Sequence, residues 1–592
     1  MKQFFVTVAG VFAGLMLFFV VIPFVLIMII AASVGSKPVT PSNTVLELDL
    51  RAGLTDQTPG NPFASFGGSG LSTVQIVDTL AQAQEDDAVK VLLLRLPEGG
   101  MTPAAADEIR QAVQRFKSAD KRVIAHSQGL TPVGAVISTY MVGGAASELW
   151  MQGTARFEAT GLSSETLFLG RAFERYGVDA EFEQRYEFKN AVNQYTQNDY
   201  TAAHREAATA WMTSVHDSAI GNIARDRRIQ PAVLKTTLEA GPYSAQQALS
   251  LKLIDKIGEV EQAEAEAKRL AGNNAEIVGF SDYASTVGER KGSGTDAIAI
   301  VGGEGAILTG AGDAGFGAGS SIASDITAEA IYDAIEDDAV KAIVFRVSSP
   351  GGSPTASEQI LAAVRAAKAA GKPVVVSMGD YAASGGYWIS SEADWIVAQP
   401  STITGSIGVF GGKFVLSDAL SRFGVDMREI SVGGEFADAY SPVEPFTPEQ
   451  RATFAASMDQ TYEEFVTRVA RGRDLPVERV REIARGRVWT GAQARGLGLV
   501  DQLGGLNEAV NKAKALADIS ADTSVRFKRY PTPQSPFEAL SDIFGVSSEA
   551  ARALVIVGGV MRDPQAQAVM QQVQAERMRG QGATVLADQP LR

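Results

Sequence analysis

The longest hydrophobic feature comes first. Residues 3–36 contain no charged side chain and are dominated by Phe, Val, Leu and Ile. A bilayer core takes roughly 20 such residues, whereas a cleavable leader carries an apolar region of about 7–15. Residues 1–36 are therefore expected to form a retained transmembrane helix. Lys2 and the terminal amine precede it, and the positive-inside tendency then leaves the N-terminus cytoplasmic and sends the rest of the chain outward.

Beyond this segment, short apolar runs alternate with helical patterns. Residues 91–95, 342–346 and 374–376 read as strands, and residues 356–369 as a helix. Strands alternating with helices of that length indicate βαβ units and an α/β sheet covered on both faces. Ser349-Pro350-Gly351-Gly352 ends one strand, and Ala382-Ala383-Ser384-Gly385-Gly386-Tyr387 follows another. The glycine-rich run 302–319 reads as a mobile loop rather than a phosphate cradle, since no G-K-[ST] follows it. From about Asp563 the chain is rich in Gln, Ala and Arg, as expected of a loosely helical or poorly ordered tail.

The same pattern occurs twice. Glu85-Asp86-Asp87-Ala88-Val89-Lys90 returns as Glu336-Asp337-Asp338-Ala339-Val340-Lys341, each followed by an apolar run ending in arginine. Arg175-Tyr176-Gly177-Val178-Asp179 matches Arg422-Phe423-Gly424-Val425-Asp426. Leu251-Lys252-Leu253-Ile254-Asp255 matches the segment from Leu497 to Asp501. A unit this long is a duplicated domain rather than a solenoid repeat. The expected organisation is an anchor (1–36), a first repeat (37–290), a second repeat (291–530) and a tail (531–592).

Composition removes several chemistries. A net charge of −15 and a pI near 5.0 offer no basic footprint for nucleic acid. There is no cysteine, hence no disulfide, thiolate metal site or Cys nucleophile. His126, His204 and His216 are scattered and form no H-E-x-x-H pattern, so neither zinc nor another cofactor is expected.

Comparison of the two copies isolates two residues. A serine between small residues at a strand-to-helix junction can expose its oxygen, and a neighbouring Gly-Gly pair can bring backbone amides to a substrate carbonyl. Taken alone, Ser384 reads more readily as a turn former or helix cap than as a nucleophile. At the repeat spacing, however, Ser384 falls opposite Val133, and Gly352 opposite Met101. The converse holds for Glu187-Phe188-Lys189-Asn190-Ala191, which aligns with Glu435-Phe436-Ala437-Asp438-Ala439. A lysine acts as a general base once burial lowers its pKa from about 10.4 toward roughly 7–8. A lone lysine is usually a solvated charge; the complementary loss is what raises this one. His126 aligns with Ser377 on an expected buried strand and reads as a core histidine.

With these residues in view, the chain resembles the signal peptide peptidase A family in its long, protease IV form. The apolar N-terminus, the tandem repeat, Ser349-Pro350-Gly351-Gly352, the run from Tyr381 to Trp388, Thr404-Gly405-Ser406-Ile407-Gly408-Val409 and Lys189-Asn190-Ala191-Val192 carry the resemblance, which extends to about Asp518. It implies tandem Clp-protease/crotonase-like α/β domains and a Ser–Lys dyad split between them, with Ser384 as nucleophile and Lys189 as general base. It also implies an oxyanion hole near Gly352 and Gly385, and a homotetramer enclosing a chamber on the outer, periplasmic face of the bacterial inner membrane. In that family a serine or threonine often orients the lysine, and Ser406 is the candidate. Remnant signal peptides are the implied substrates. Asp380 departs from the pattern; facing the dyad it would hold the lysine charged, so it is expected to point away.

Three other readings compete. A crotonase-type acyl-CoA enzyme shares the glycine-rich turns but is soluble and uses a carboxylate. An anchored oligomeric scaffold would leave Ser384 and Lys189 incidental. A general periplasmic protein-degrading protease would share the site but not the substrate.

Overall fold

The duplicated Glu-Asp-Asp-Ala-Val-Lys segment closes the same turn twice. Asp86 Oδ1 accepts from the Ala88 amide at 2.8 Å, and Asp337 Oδ1 from Ala339 at 3.0 Å. The second oxygen of each accepts from a tyrosine, Tyr283 at 2.9 Å and Tyr530 at 2.7 Å. A helix therefore ends and a strand begins at equivalent points of both copies, with a short acidic side chain supplying the turn's hydrogen bonds.

The structure is a computed structural model that describes residues 40–58, 70–288, 292, 294–312, 320–532 and 585–586. The apolar stretch at 1–36 and most of the tail lie outside the described residues. Among the described residues no helix is long and apolar enough to cross a membrane.

In the first half the strands are β1 (Thr44–Asp49), β2 (Val89–Leu96), β3 (Arg122–Ser127), β4 (Glu148–Met151), β5 (Arg156–Phe157), β6 (Asp179–Gln184), β7 (Tyr243–Ser244), β8 (Lys256–Ile257) and β9 (Glu276–Gly279). Six of them form a parallel sheet in the order β8-β4-β3-β2-β1-β9.

The second half carries β10 (Ala297–Glu304), β11 (Ala306–Leu308), β12 (Ser321–Ala323), β13 (Val340–Ser349), β14 (Gly351–Gly352), β15 (Val374–Ala383), β16 (Trp395–Ala398), β17 (Ile403–Gly405), β18 (Phe410–Val415), β19 (Val488–Thr490), β20 (Gln502–Leu503), β21 (Arg526–Tyr530) and β22 (Val585–Leu586). Its larger sheet runs β19-β17-β15-β13-β10-β21, with β16 beside β15 and β20 beyond it. A smaller sheet has the order β12-β11-β14-β22.

The expected α/β class and duplicated arrangement are both seen. One expectation fails: residues 302–308 are not loop. Gly302 and Gly303 lie inside β10, and β11 follows at once. Only a side chain as small as glycine's fits there, because a Cβ on Gly303 would come within 2.8 Å of Ile322.

Strands buried on both faces read as continuous apolar runs. Ile343, Phe345, Val376 and Met378 face the helices Ser324–Glu336, Pro354–Ala369 and Pro448–Arg473. Ile298, Val344 and Val375, on the opposite face, join the core of the first half, so one apolar interior runs through both copies. Within it Arg346 of β13 reaches two carboxylates of the first half, pairing with Asp56 through both Nε and Nη2 and with Glu108 at 2.9 Å. Ser377 Oγ accepts from the same guanidinium at 2.9 Å. A buried arginine is tolerable only with its donors satisfied in this way.

Candidate active site at the junction of the two halves

Lys189 enters the second half because of a ladder between the copies. β6 pairs antiparallel with β18, from Phe410↔Gln184 to Val415↔Asp179. The Arg185 amide then bonds to the Val409 carbonyl at 3.0 Å, and the chain turns through Tyr186 and Phe188 to place Lys189 just before the short helix Asn190–Val192. The side chain passes through a slot made by two glycines. A Cβ on Gly486 would lie 2.6 Å from Lys189 Cβ, and one on Gly408 would lie 3.4 Å from Lys189 Cδ.

Ser384 is held from the other side. It follows β15 directly with φ 56° and ψ −118°, a strained backbone for a residue with a Cβ. Its amide donates to the Gly405 carbonyl at 2.8 Å, and its carbonyl accepts from Trp388 at 2.9 Å, opening the helix Gly385–Ser390. This is the strand-to-helix elbow that presents a serine oxygen.

The two side chains meet within one chain. Lys189 Nζ lies 2.8 Å from Ser384 Oγ, 3.0 Å from the Ser406 carbonyl and 3.1 Å from Ser406 Oγ. Lys189 is 1% exposed and Ser384 0%. In the neutral form an amine has two hydrogens and one lone pair. The two Ser406 oxygens take the hydrogens, which turns the lone pair toward the serine hydroxyl. Ser406 Oγ can accept because its own hydrogen is directed to the Gly486 carbonyl, 3.4 Å away.

Gly352 and Gly385 stand beside this pair with their backbones in contact. A Cβ on Gly385 would fall 3.0 Å from the Gly352 nitrogen, and one on Gly352 only 2.1 Å from the Ile307 carbonyl. Only glycine permits either approach. The arrangement holds two adjacent main-chain amides next to a buried serine, as stabilisation of a tetrahedral oxyanion requires.

The other residues singled out are placed elsewhere. Asp380 turns to the first half, where Oδ1 accepts from the Ala105 amide at 3.1 Å. Burial, with Asp56 nearby, pushes its carboxyl up to about 6. Among the described residues no hydrogen bond joins a histidine to Ser384. His126 is buried on β3 with Nε2 3.0 Å from the Gly258 carbonyl, and burial lowers its pKa. Burial likewise lowers His204 to about 4. Among the described residues no group of carboxylates and histidines could hold a metal.

The pairing of Ser384 with Val133 needs correction. Tyr140 donates to the Leu253 carbonyl at 3.0 Å and Tyr387 to Leu499 at 2.8 Å, so these tyrosines are equivalent. Three residues before each stand Ile137 and Ser384. The connection from β3 to its helix is longer than that from β15 to its own, with thirteen residues between His126 and Tyr140 and nine between Ser377 and Tyr387. A fixed repeat spacing slips there, and the first copy carries a core isoleucine opposite the serine.

Sequence reasoning missed Gly486 and Arg487. The Arg487 carbonyl accepts from the Ser406 amide at 2.8 Å, while its guanidinium lies between Phe188 (4.8 Å) and Trp489 (4.6 Å) and pairs with Glu206 at 2.5 Å. One residue thus braces both the lysine segment and Ser406. Nothing in the chain's periodicity marks it, since the brace exists only after the β6–β18 ladder forms.

The chain matches the model of peptidase family S49 over residues 115–274 and 366–520. It is 34% identical over 466 residues to Protease 4 of Salmonella typhi, covering 76% of this chain and 72% of that protein. Protease 4 of Haemophilus influenzae is 31% identical over 472 residues, covering 77% and 75%. The chloroplastic serine protease SPPA of Arabidopsis thaliana is 28% identical over 513 residues, covering 85% and 73%.

Proposed function

The chain belongs to peptidase family S49 and is a serine peptidase; from that premise we propose that it is a membrane-anchored endopeptidase whose nucleophile is Ser384 and whose general base is Lys189. The observation that carries this is the 2.8 Å approach of Lys189 Nζ to Ser384 Oγ, with Ser406 taking up the remaining bonds of the amine. In the proposed mechanism Oγ attacks the scissile carbonyl as its proton passes to the lysine. The Gly352 and Gly385 amides hold the oxyanion. The ammonium then protonates the departing amine, and a water repeats the sequence on the acyl-enzyme. The family's Clp-protease/crotonase-like description fits parallel sheets with the nucleophile at a strand end, and the halves are taken as residues 37–290 and 291–530.

Cleaved signal peptides in the bacterial inner membrane are the proposed substrates, with the catalytic part periplasmic. The charge-free stretch at 3–36 supports this by holding the enzyme where such peptides emerge. A homotetramer is proposed as well. Asp426, the counterpart of Asp179 at the start of β6, leads into a segment with no strand partner among the described residues, where Ile430 and Val432 are 95% and 91% exposed. If one chain's second half meets the next chain's first half as β6 meets β18, the contact is head-to-tail and closes into a ring.

A fluorophosphonate probe applied to the full-length chain in detergent tests the core of this reading. Ser384 should be labelled, and Lys189→Ala should abolish labelling. An unlabelled Ser384 in the folded native chain would leave the anchored scaffold as the better account. Comparing a signal-type peptide with a folded protein substrate separates a peptide scavenger from a general degradative protease.

A further inference from the structure

The comparison of copies that isolates Ser384 and Lys189 isolates a further residue once the structure fixes the register. Ser244 and Thr490 close the same capping box, with Gln247 and Gln493. β5 pairs antiparallel with β7 as β17 does with β19, Phe157 opposite Tyr243 and Thr404 opposite Trp489. On that register Ala159 stands where Ser406 does, Ala240 where Gly486 does, and Gly241 where Arg487 does. The copy that holds Ser384 keeps all of these residues, and the other copy, with the same fold, keeps none.

We propose that Arg487 is a positioning residue for the proton transfer between Ser384 and Lys189, fixing the base against its acceptors from both sides of the junction. The inference rests on the assignment of those two residues given above. The main chain of Arg487 reaches the side of the serine. Its carbonyl accepts from the Ser406 amide at 2.8 Å, and the adjoining Gly405 carbonyl accepts from the Ser384 amide at 2.8 Å. Ser406 has a φ of 49°, a left-handed backbone that persists only where its surroundings fix it. The side chain of Arg487 reaches the side of the lysine. Its guanidinium carbon lies 4.8 Å from the ring centre of Phe188, the residue before Lys189, and 4.6 Å from that of Trp489. Nη1 pairs at 2.5 Å with Glu206 of the helix Ala202–Arg227. A planar guanidinium can stack on two ring faces at once, which an ammonium cannot. Its side chain is 17% exposed, whereas Arg485 on the same turn, paired with Glu187, is 46% exposed. A catalytic group misplaced by about 1 Å loses on the order of 100-fold in rate. A brace joined to both the lysine segment and Ser406 therefore acts on turnover rather than on substrate binding.

The test compares full-length chains in detergent, by cleavage of a signal-type peptide and by the rate and final extent of fluorophosphonate labelling. Arg487→Met keeps a stem between the rings and removes the charge. It should lower kcat and the labelling rate together by about 10–100-fold, with KM within about twofold. Arg487→Lys should recover part of that loss while staying at least about threefold below wild type, and Arg485→Met should stay within about twofold of it. An arginine that serves folding alone would lower Tm and the labelled fraction and leave kcat per labelled site within about threefold of wild type; that result overturns the proposal. Should Arg487→Met not fold, Arg487→Lys decides: a loss in kcat of threefold or more at unchanged KM supports the proposal, and a smaller one overturns it. Lys189→Ala, run alongside, separates this inference from the reading it rests on. An inactive Lys189→Ala beside a fully active Arg487→Met overturns the inference and leaves the dyad standing, whereas an active Lys189→Ala removes the dyad and the inference with it.

Discussion

Lys189 Nζ and Ser384 Oγ are hydrogen-bonded across 195 residues of a single chain. Neither copy of the fold holds both, so on the proposed reading catalysis depends on the junction between the halves. Nucleophile and base acting as one unit lose activity together. Ser384→Ala, Lys189→Ala and the double variant should each fall by at least about a thousandfold in kcat/KM, the double hardly below the singles. Lys189→Arg should be as inactive as Lys189→Ala, because a guanidinium keeps its proton. The wild-type rate should climb with pH to an alkaline plateau as the amine becomes neutral. An arginine variant with most of its activity would show that the residue supplies charge rather than removing a proton.

Ser406 and Gly486 test the slot around the lysine. Ser406→Ala removes one of the two acceptors that turn the amine's lone pair to Ser384, and should lower kcat by about 10–100-fold with little change in KM. Gly486→Ala meets two obstacles, φ of +79° and a Cβ 2.6 Å from Lys189. Its turnover should fall by about 100-fold or more, with circular dichroism unchanged and Tm lowered by only a few degrees. Full activity in Gly486→Ala would mean that the lysine segment can shift without cost.

The repeat and the complementary loss of serine and lysine were legible in the chain because duplication supplies its own control. Ser406 was suggested by its motif alone. Register across the loop after β3 was not legible: a fixed spacing carried Val133 to Ser384, whereas the tyrosines at 140 and 387 show that the loops differ in length. Glycine-rich residues 302–308 read as loop because glycine's low strand propensity hides close backbone approach. Gly486, Arg487 and the Arg346 cluster depend on contacts between halves, which no local pattern encodes.

That cluster makes stability depend on pH. Glu304 accepts from the Gln57 amide at 3.0 Å, and burial followed by the Asp56 charge pushes its carboxyl up to about 7. A carboxyl raised above its unfolded value binds more protons when folded, so its contribution is complete below the unfolded pKa near 4.5 and is lost as pH rises through about 7. Asp380, at about 6, acts in the same direction over a lower range. Glu304→Gln keeps an acceptor for Gln57 and removes the titration. Its Tm should therefore fall less than wild type's between pH 5 and 8, by the equivalent of roughly 1–3 kcal/mol. Parallel Tm curves over that range would show that Glu304 is not the group responsible.

The last prediction concerns assembly. In each chain β6 of the first half is satisfied by β18 of the second, with Phe182 and Phe414 rings 5.2 Å apart across the ladder. The equivalent segment of the second copy, beginning at Asp426, has no such partner among the described residues, and Phe423, Ile430 and Val432 stand out into solvent. Apolar side chains clustered this way mark an interface more often than a bare surface. A chain lacking residues 1–36 should therefore be a soluble homo-oligomer by light scattering, a tetramer on the proposed reading. Ile430→Asp combined with Val432→Asp should dissociate it, because burying two carboxylates at each junction costs several kcal/mol. The dyad is complete within one chain, so the dissociated form should keep its Lys189–Ser384 hydrogen bond and label with fluorophosphonate, more slowly if the neighbour steadies the site. A monodisperse, fully active wild-type monomer would remove the case for the ring and leave those apolar residues without an explanation.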